Sequence, residues 1–142
     1  MADQLQLEVV TPERRVLAEA VNSATVPGRN GEMQILPGHA ALISELQTGV
    51  LAYNQGGTIS RLHVSGGFVE VNNDRVSVLA EVAERPEEID VGRANKGKAK
   101  AQDLLVKGTE IDFEKVRAKL MRNLTRLELA RSLPEHHEQM QG

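Results

Sequence analysis

Around Pro86 the spacing of apolar residues changes from every second position to every third or fourth. No single kind of secondary structure satisfies both spacings, so the chain must be built in two parts. Before the change, Leu5, Leu7 and Val9 alternate with polar neighbours until Thr11-Pro12 interrupts them. Val16–Val26 reads as one long strand or two short ones, ended by Pro27-Gly28-Arg29-Asn30-Gly31. Met33 and Ile35 precede Pro37-Gly38, and Thr48-Gly49 separates Leu42–Leu46 from Val50–Tyr53. Gln55-Gly56-Gly57, Ser65-Gly66-Gly67 and Asn72-Asn73-Asp74 read as turns around strands Thr58–Val64, Phe68–Val71 and Arg75–Ala83. In the last of these, Val76, Val78, Ala80 and Val82 point one way, and Arg75, Ser77, Glu81 and Ala83 the other. Alternation punctuated at about 8–12 residues is the pattern of an antiparallel sandwich or barrel, one face of each strand inward.

After Pro86 the signals are helical. Glu87, Glu88 and Asp90 place negative charge in a first turn, where the helix dipole favours it. Ile89, Ala94, Ala101 and Leu104/Leu105 form an apolar stripe, and Gly108 is positioned as a C-terminal cap. Thr109 or Asp112 can cap a second helix whose stripe is Phe113, Val116, Leu120, Leu124 and Leu127, closed by Pro134. Two helices of about 20 residues with a short connection predict an antiparallel hairpin roughly 30 Å long. The expected organisation is a sandwich over 1–86, a hairpin over 87–134 and a tail over 135–142. Gly92 and Gly97 each cost a helix interior about 1 kcal/mol relative to Ala. With Ala94 and Ala101 they allow close approach of a second helix, and they also suit a helix that rearranges.

Composition narrows the chemistry. Aromatics are 2% of the chain, so the core is aliphatic and there is no base-stacking platform for nucleic acid. The absence of Cys removes disulfides, thiolate metal sites and Cys nucleophiles, and fits a reducing compartment. No apolar run approaches the ~18 residues of a membrane span, and Met1–Val10 has no signal-peptide pattern, so a cytoplasmic protein is expected. His39, His63, His136 and His137 lie in contexts that suggest no ligand set. Ser65-Gly66-Gly67 lacks the surroundings of a nucleophile elbow. Gly28-Arg29-Asn30-Gly31 lacks the Lys and following helix of a phosphate loop, and reads as a hairpin turn using residues with positive φ.

Charge is unevenly divided. Residues 1–86 carry 6 Arg, no Lys and 10 acids, whereas residues 87–142 carry 11 basic and 10 acidic groups. Lys115, Arg117, Lys119, Arg122, Arg126 and Arg131 give the second helix a net charge of +3 over Asp112–Ser132. Arg122 and Arg126 share a face. Such a helix is either a solvated face or a surface for an acidic protein segment or a phosphate. Nucleic acid fits poorly, because the chain as a whole is acidic.

Three segments in order resemble the epsilon subunit of the bacterial rotary ATP synthase. They are Val26-Pro-Gly-Arg-Asn-Gly-Glu-Met-Gln-Ile-Leu-Pro-Gly-His-Ala-Ala-Leu, Val64-Ser-Gly-Gly-Phe-Val-Glu-Val and Val76-Ser-Val-Leu-Ala-Glu. The resemblance covers nearly the whole chain. It implies an α+β fold, with an antiparallel β-sandwich of about ten strands followed by a two-helix antiparallel hairpin. It further implies a non-catalytic rotor subunit at the cytoplasmic face of the bacterial plasma membrane, membrane-associated only through its complex. The sandwich would bind the gamma subunit and the c-ring. The hairpin would fold down or extend into the catalytic head, where its extended form hinders ATP hydrolysis. Lys115, Lys119, Arg122 and Arg126 would then meet an acidic segment of the beta subunit. No cofactor is required, but some members bind a regulatory ATP through an Ile/Leu-Asp-x-x-Arg-Ala motif. Ile89, Asp90, Arg93 and Ala94 match that motif in full, and Arg122 and Arg126 would face the phosphates from the second helix. Two features weigh against it: Lys100 stands where binders carry Arg, which loses bidentate geometry, and Gly92 is unusual at its place inside the motif. The reading from another class is a free-standing nucleotide-binding sensor, recognisable by tight ATP binding without affinity for gamma.

Overall fold

The computed structural model describes residues 4–108 and 112–131. Two compact units divide the chain, Met1–Glu84 and Arg85–Gly142. The first holds eight strands: β1 (Leu5–Val10), β2 (Arg15–Val21), β3 (Ser23–Gly28), β4 (Gly31–Ile35), β5 (Leu42–Glu45), β6 (Gly49–Gln55), β7 (Thr58–Asn72) and β8 (Arg75–Glu84). They form one sheet in the order β2-β1-β8-β7-β6-β3-β4, with β5 attached to β7, and it closes into a β-sandwich. The alternation that predicted these strands places their side chains. Leu5, Leu7 and Val9 are buried on β1, as are Val69 and Val71 on β7 and Val76, Val78 and Ala80 on β8. Together with Leu51, Leu62, Val64 and others they form a single aliphatic core whose one aromatic member is Tyr53.

Three expectations are corrected. The strands number eight rather than about ten, and Ser65-Gly66-Gly67 is not a turn: β7 runs through it for 15 residues and joins two expected strands into one. The sheet is mixed rather than wholly antiparallel: β1 lies parallel to β8, with Leu7 opposite Val76 and Val9 opposite Val78. In the Gly28–Gly31 hairpin only Gly31 has a positive φ, and β3 continues through Gly28, which pairs with Gly31. The Val16–Val26 run resolves into the shorter alternative, divided between β2 and β3.

The two glycines of β7 have a different task. Gly66 and Gly67 have φ of +70° and +95°, a region open to glycine at low cost. A Cβ on Gly67 would lie 1.9 Å from the Leu79 carbonyl oxygen. Across this point the inward-facing residues of β7 change from even numbers (Leu62, Val64) to odd (Val69, Val71). On β8 the inward series Val76, Val78, Ala80 likewise passes to Ala83, while Val82 is only half-buried. The register between β7 and β8 is unchanged throughout, from Asn72 opposite Arg75 to His63 opposite Glu84. The strand pair therefore turns over as a unit at the glycines, a corner of the kind that closes a sandwich.

Leu62–Ser65 are four consecutive buried residues. His63 is fully buried, with Nδ1 2.7 Å from Glu84 Oε1. A carboxylate only accepts, so Nδ1 carries the proton. His63 Nε2 has no hydrogen-bond partner among the described residues.

The second unit contains a 3-10 turn (Pro86–Glu88), α1 (Val91–Lys107) and α2 (Phe113–Arg131). Glu87 and Glu88 lie in the turn and not in the first turn of α1 as expected, and the Glu88 carboxylate accepts from the Arg85 amide at 3.0 Å. Asp90 is the cap of α1, accepting from the Arg93 amide at 3.0 Å. Gly108 ends α1 in the left-handed conformation, its amide donating to Leu104 at 3.3 Å. Asp112 caps α2 through the Lys115 amide at 3.2 Å. Thr109, the other candidate cap, and Pro134, His136 and His137 lie outside the described residues. Ala94 and Ala101 are buried as predicted. On α2 the stripe is only partly inward: Leu127 is buried and Val116 and Leu120 are half-buried, but Phe113 and Leu124 are exposed. Asn123, adjacent to Leu124, lies against α1 instead.

Candidate docking faces and a candidate anion site

Within the hairpin, α2 packs closely against α1 at Gly97. A Cβ there would sit 2.5 Å from Asn123 Nδ2. Packing away from this point toward the connection brings Lys100, Ala101 and Leu104 together with Lys115, Val116 and Lys119 around one cavity of about 380 Å3. In the opposite direction the Pro86–Glu88 turn reaches α2, so Arg126 comes level with the Asp90–Ala94 stretch. Arg126 Nη1 donates to Asn123 Oδ1 at 3.1 Å.

The motif residues occupy different environments. Ile89 and Ala94 are buried, and Arg93 is exposed. The Asp90 carboxylate is engaged as a helix cap. Lys100 is grouped with Lys115 and Lys119 around the cavity rather than with Asp90. Lys115 and Lys119 are exposed and Arg122 is half-buried. Lys107 pairs with Asp103 at 3.0 Å, whereas Lys115, Lys119 and Arg122 make no ion pair among the described residues. A helix face with uncompensated cations attracts an anionic partner.

The sandwich presents a surface that the sequence reading missed. Phe68 on β7 stands opposite Leu79 on β8, which stands opposite Val10 on β1. Phe68 is 52% exposed and Leu79 54%, and Ile43 on the adjoining β5 is 73% exposed. Glu45 lies opposite Phe68, and Glu70 opposite Ile43. The result is an apolar row on an outer sheet face, Leu79 and Phe68 in line and Ile43 one diagonal step beyond, with Glu45 and Glu70 beside them. Leu79 was the available signal: in Val76–Val82 it is an apolar residue at the outward parity, where Ser77 and Glu81 are polar.

Among the described residues no group of three His, Asp or Glu could hold a metal ion, and no helix is long and apolar enough to cross a membrane. A sandwich with an apolar outer face, joined to a hairpin with a basic face, defines a class of protein with surfaces for partners. Residues 4–86 match the family described as ATP synthase, Delta/Epsilon chain, beta-sandwich domain. Residues 87–131 match ATP synthase, Delta/Epsilon chain, long alpha-helix domain. The ATP synthase epsilon chain of Desulforamulus reducens is 43% identical, covering 92% of this chain and 99% of its own. That of Geotalea daltonii is 42% identical, covering 92% and 96%. A chain in the cryo-EM structure of the Euglena gracilis mitochondrial ATP synthase superposes with a TM-score of 0.74 at 24% identity, over 92% of this chain and 82% of that one. One in the Tetrahymena thermophila mitochondrial ATP synthase central stalk/c-ring superposes with 0.60 at 14% identity, over 89% and 96%, and both likenesses concern the fold. The chain belongs to the ATP synthase Delta/Epsilon chain family.

Proposed function

We propose that this chain is a non-catalytic subunit of the rotor of an ATP synthase, peripheral to the membrane and held there by its partners. The sandwich docks on the gamma subunit and the c-ring, and the hairpin restrains ATP hydrolysis. The observation that carries this reading is the row of Ile43, Phe68 and Leu79, since large side chains exposed together on a folded sheet mark a docking surface. The basic face of α2 supplies the second contact, with Lys115, Lys119, Arg122 and Arg126 meeting an acidic segment of the beta subunit.

The deciding experiment is the ATPase rate of a purified alpha-beta-gamma head alone, with the full chain, and with residues 1–86. The full chain is expected to bind and inhibit, and the fragment to bind without inhibiting. Failure of both to bind the head would overturn the reading. Replacing Lys115, Lys119, Arg122 and Arg126 by Ala is expected to relieve inhibition while leaving assembly intact; undiminished inhibition would show that the basic face is not the brake.

The hairpin geometry also supports a regulatory nucleotide. What supports it is that Asn123, which lies against α1 at Gly97, also accepts from the Arg126 guanidinium at 3.1 Å. ATP held there would favour the packed hairpin by its differential affinity for that state. Asp90→Ala or Arg93→Ala would then weaken ATP binding in a titration of the isolated protein. Identical curves for wild type and variants would remove the site.

A further inference from the structure

The turn between β7 and β8 departs from the chemistry its geometry favours. Asn72 pairs with Arg75, leaving Asn73 and Asp74 as a two-residue loop. Their φ values are +50° and +61°, the only positive ones among the described non-glycine residues. A loop with both central residues in this region favours Gly at its second position. Asp tolerates the conformation less readily, and a residue held there needs support from its surroundings. Asp74 has such support on two sides. Its carbonyl accepts from the Gln6 amide at 2.8 Å. Its carboxylate Oδ1 accepts from the Gly38 amide at 2.7 Å, across 36 positions of sequence.

Gly38 lies in the 36–41 connection between β4 and β5, where it has a φ of +86°. The His39 amide closes a turn there by donating to the Leu36 carbonyl at 3.1 Å. The connection leads directly into β5, a strand of four residues that pairs with β7. Leu42, its first residue, stands opposite Val71, close to the Asp74 turn. The far end of β5 is held by the Arg29 amide on the Glu45 carbonyl and the Leu46 amide on the Gly67 carbonyl, both at 2.9 Å, so it is the near end, with Leu42 and Ile43, that depends on what anchors the segment before it. Ile43, the most exposed member of the apolar row, is its second residue.

We infer that Asp74 is a positioning residue for the docking face: its carboxylate pins the 36–41 connection at Gly38 and thereby sets β5 and Ile43 in place. The inference rests on the reading of the sandwich face as the gamma-binding surface. It accounts for an Asp at a position where Gly would suit the turn better, because Gly would supply the backbone conformation and lose the acceptor.

The test compares the full chain with its Asp74→Gly and Asp74→Asn variants in two measurements: amide hydrogen exchange at Gly38, and affinity for purified gamma. Asp74→Gly is expected to leave the unfolding midpoint of the sandwich equal or higher. Protection of the Gly38 amide should fall about tenfold, the size of one charge-assisted hydrogen bond, and gamma affinity should fall by a similar factor. Asp74→Asn keeps an acceptor and should lie near wild type in both. Unchanged Gly38 protection in Asp74→Gly would overturn the pinning, and lost protection with undiminished gamma affinity would overturn its role in docking. Ile43→Glu separates the two readings. If wild type and Ile43→Glu bind gamma equally, the docking face itself is wrong, and the Gly38 exchange result stands on its own.

Discussion

A single missing methyl group decides whether β7 can pass its corner. At Gly67 a Cβ would fall 1.9 Å from the Leu79 carbonyl oxygen, and the backbone φ of +95° is one that side chains strain to adopt. Because the obstructing atom is backbone, no rotamer change can relieve it. Gly67→Ala is expected to destabilise the sandwich by ~3 kcal/mol, read as a lowered urea midpoint at unchanged slope. Gly66 is more forgiving of contact, since a Cβ there meets the Glu81 side chain, which can swing away. His63 poses the opposite problem at the same end of the strand, as a polar ring kept inside. Its Nδ1 is matched by Glu84 and its Nε2 by nothing among the described residues. An orphaned buried nitrogen costs about 1–3 kcal/mol, and we have no physical account of what that cost secures.

The helices show how local sequence and tertiary packing diverge. Gly92 and Gly97 look equivalent in the sequence, yet a Cβ at Gly92 would meet only Asp90 Oδ1 at an ordinary 3.5 Å. Gly92 is the second residue of α1 and not an interior one as expected, so Gly92→Ala is expected to stabilise α1 by at most ~0.5 kcal/mol. Gly97→Ala should gain little or lose, because the new methyl displaces the Asn123 amide from its place beside Arg126. Thermal melts of the two variants check the contrast, and equal stabilisation would show that the helices do not meet closely at Gly97. The strands and helices themselves were legible because period-2 and period-3.6 patterns, Asp90, Gly108 and Asp112 are local signals. Ser65-Gly66-Gly67 misled because glycines that turn a strand over are spelled like glycines that end it. The inward face of α2 was half legible: Leu127 followed the stripe, whereas Asn123 displaced Leu124 from the contact, and only the facing Gly97 explains why. The apolar row was hidden for a related reason. Ile43, Phe68 and Leu79 come from three strands, and they become neighbours only once β5, β7 and β8 are in register.

Over the whole chain, the division at Glu84 has an energetic meaning. Every member of the main hydrophobic cluster falls between Leu5 and Ala83. Among the described residues, the first unit therefore builds this core from its own side chains. Residues 1–86 alone are expected to unfold in one cooperative transition, with coincident far-ultraviolet circular dichroism and Tyr53 fluorescence curves. A broad or non-coincident transition would mean that the core depends on the hairpin after all. The apolar row and the basic helix face belong to separate units, so mutations in each should act independently on docking and on inhibition.

The parallel pairing of β1 with β8 has a consequence for how the molecule is made. Leu7 and Val9 find Val76 and Val78 as neighbours, so the first strand waits for the last. During synthesis the nascent chain carries a sheet with an open seam until the ribosome has passed Leu79 and released it. Adjacent pairs such as β1 with β2 and β3 with β4 can form earlier, but nearly the whole first unit must be out of the exit tunnel before the seam can close. Loop-closure entropy over that separation makes the seam a late and slow event. The hairpin, translated afterwards, emerges behind an element that has only then become able to shut.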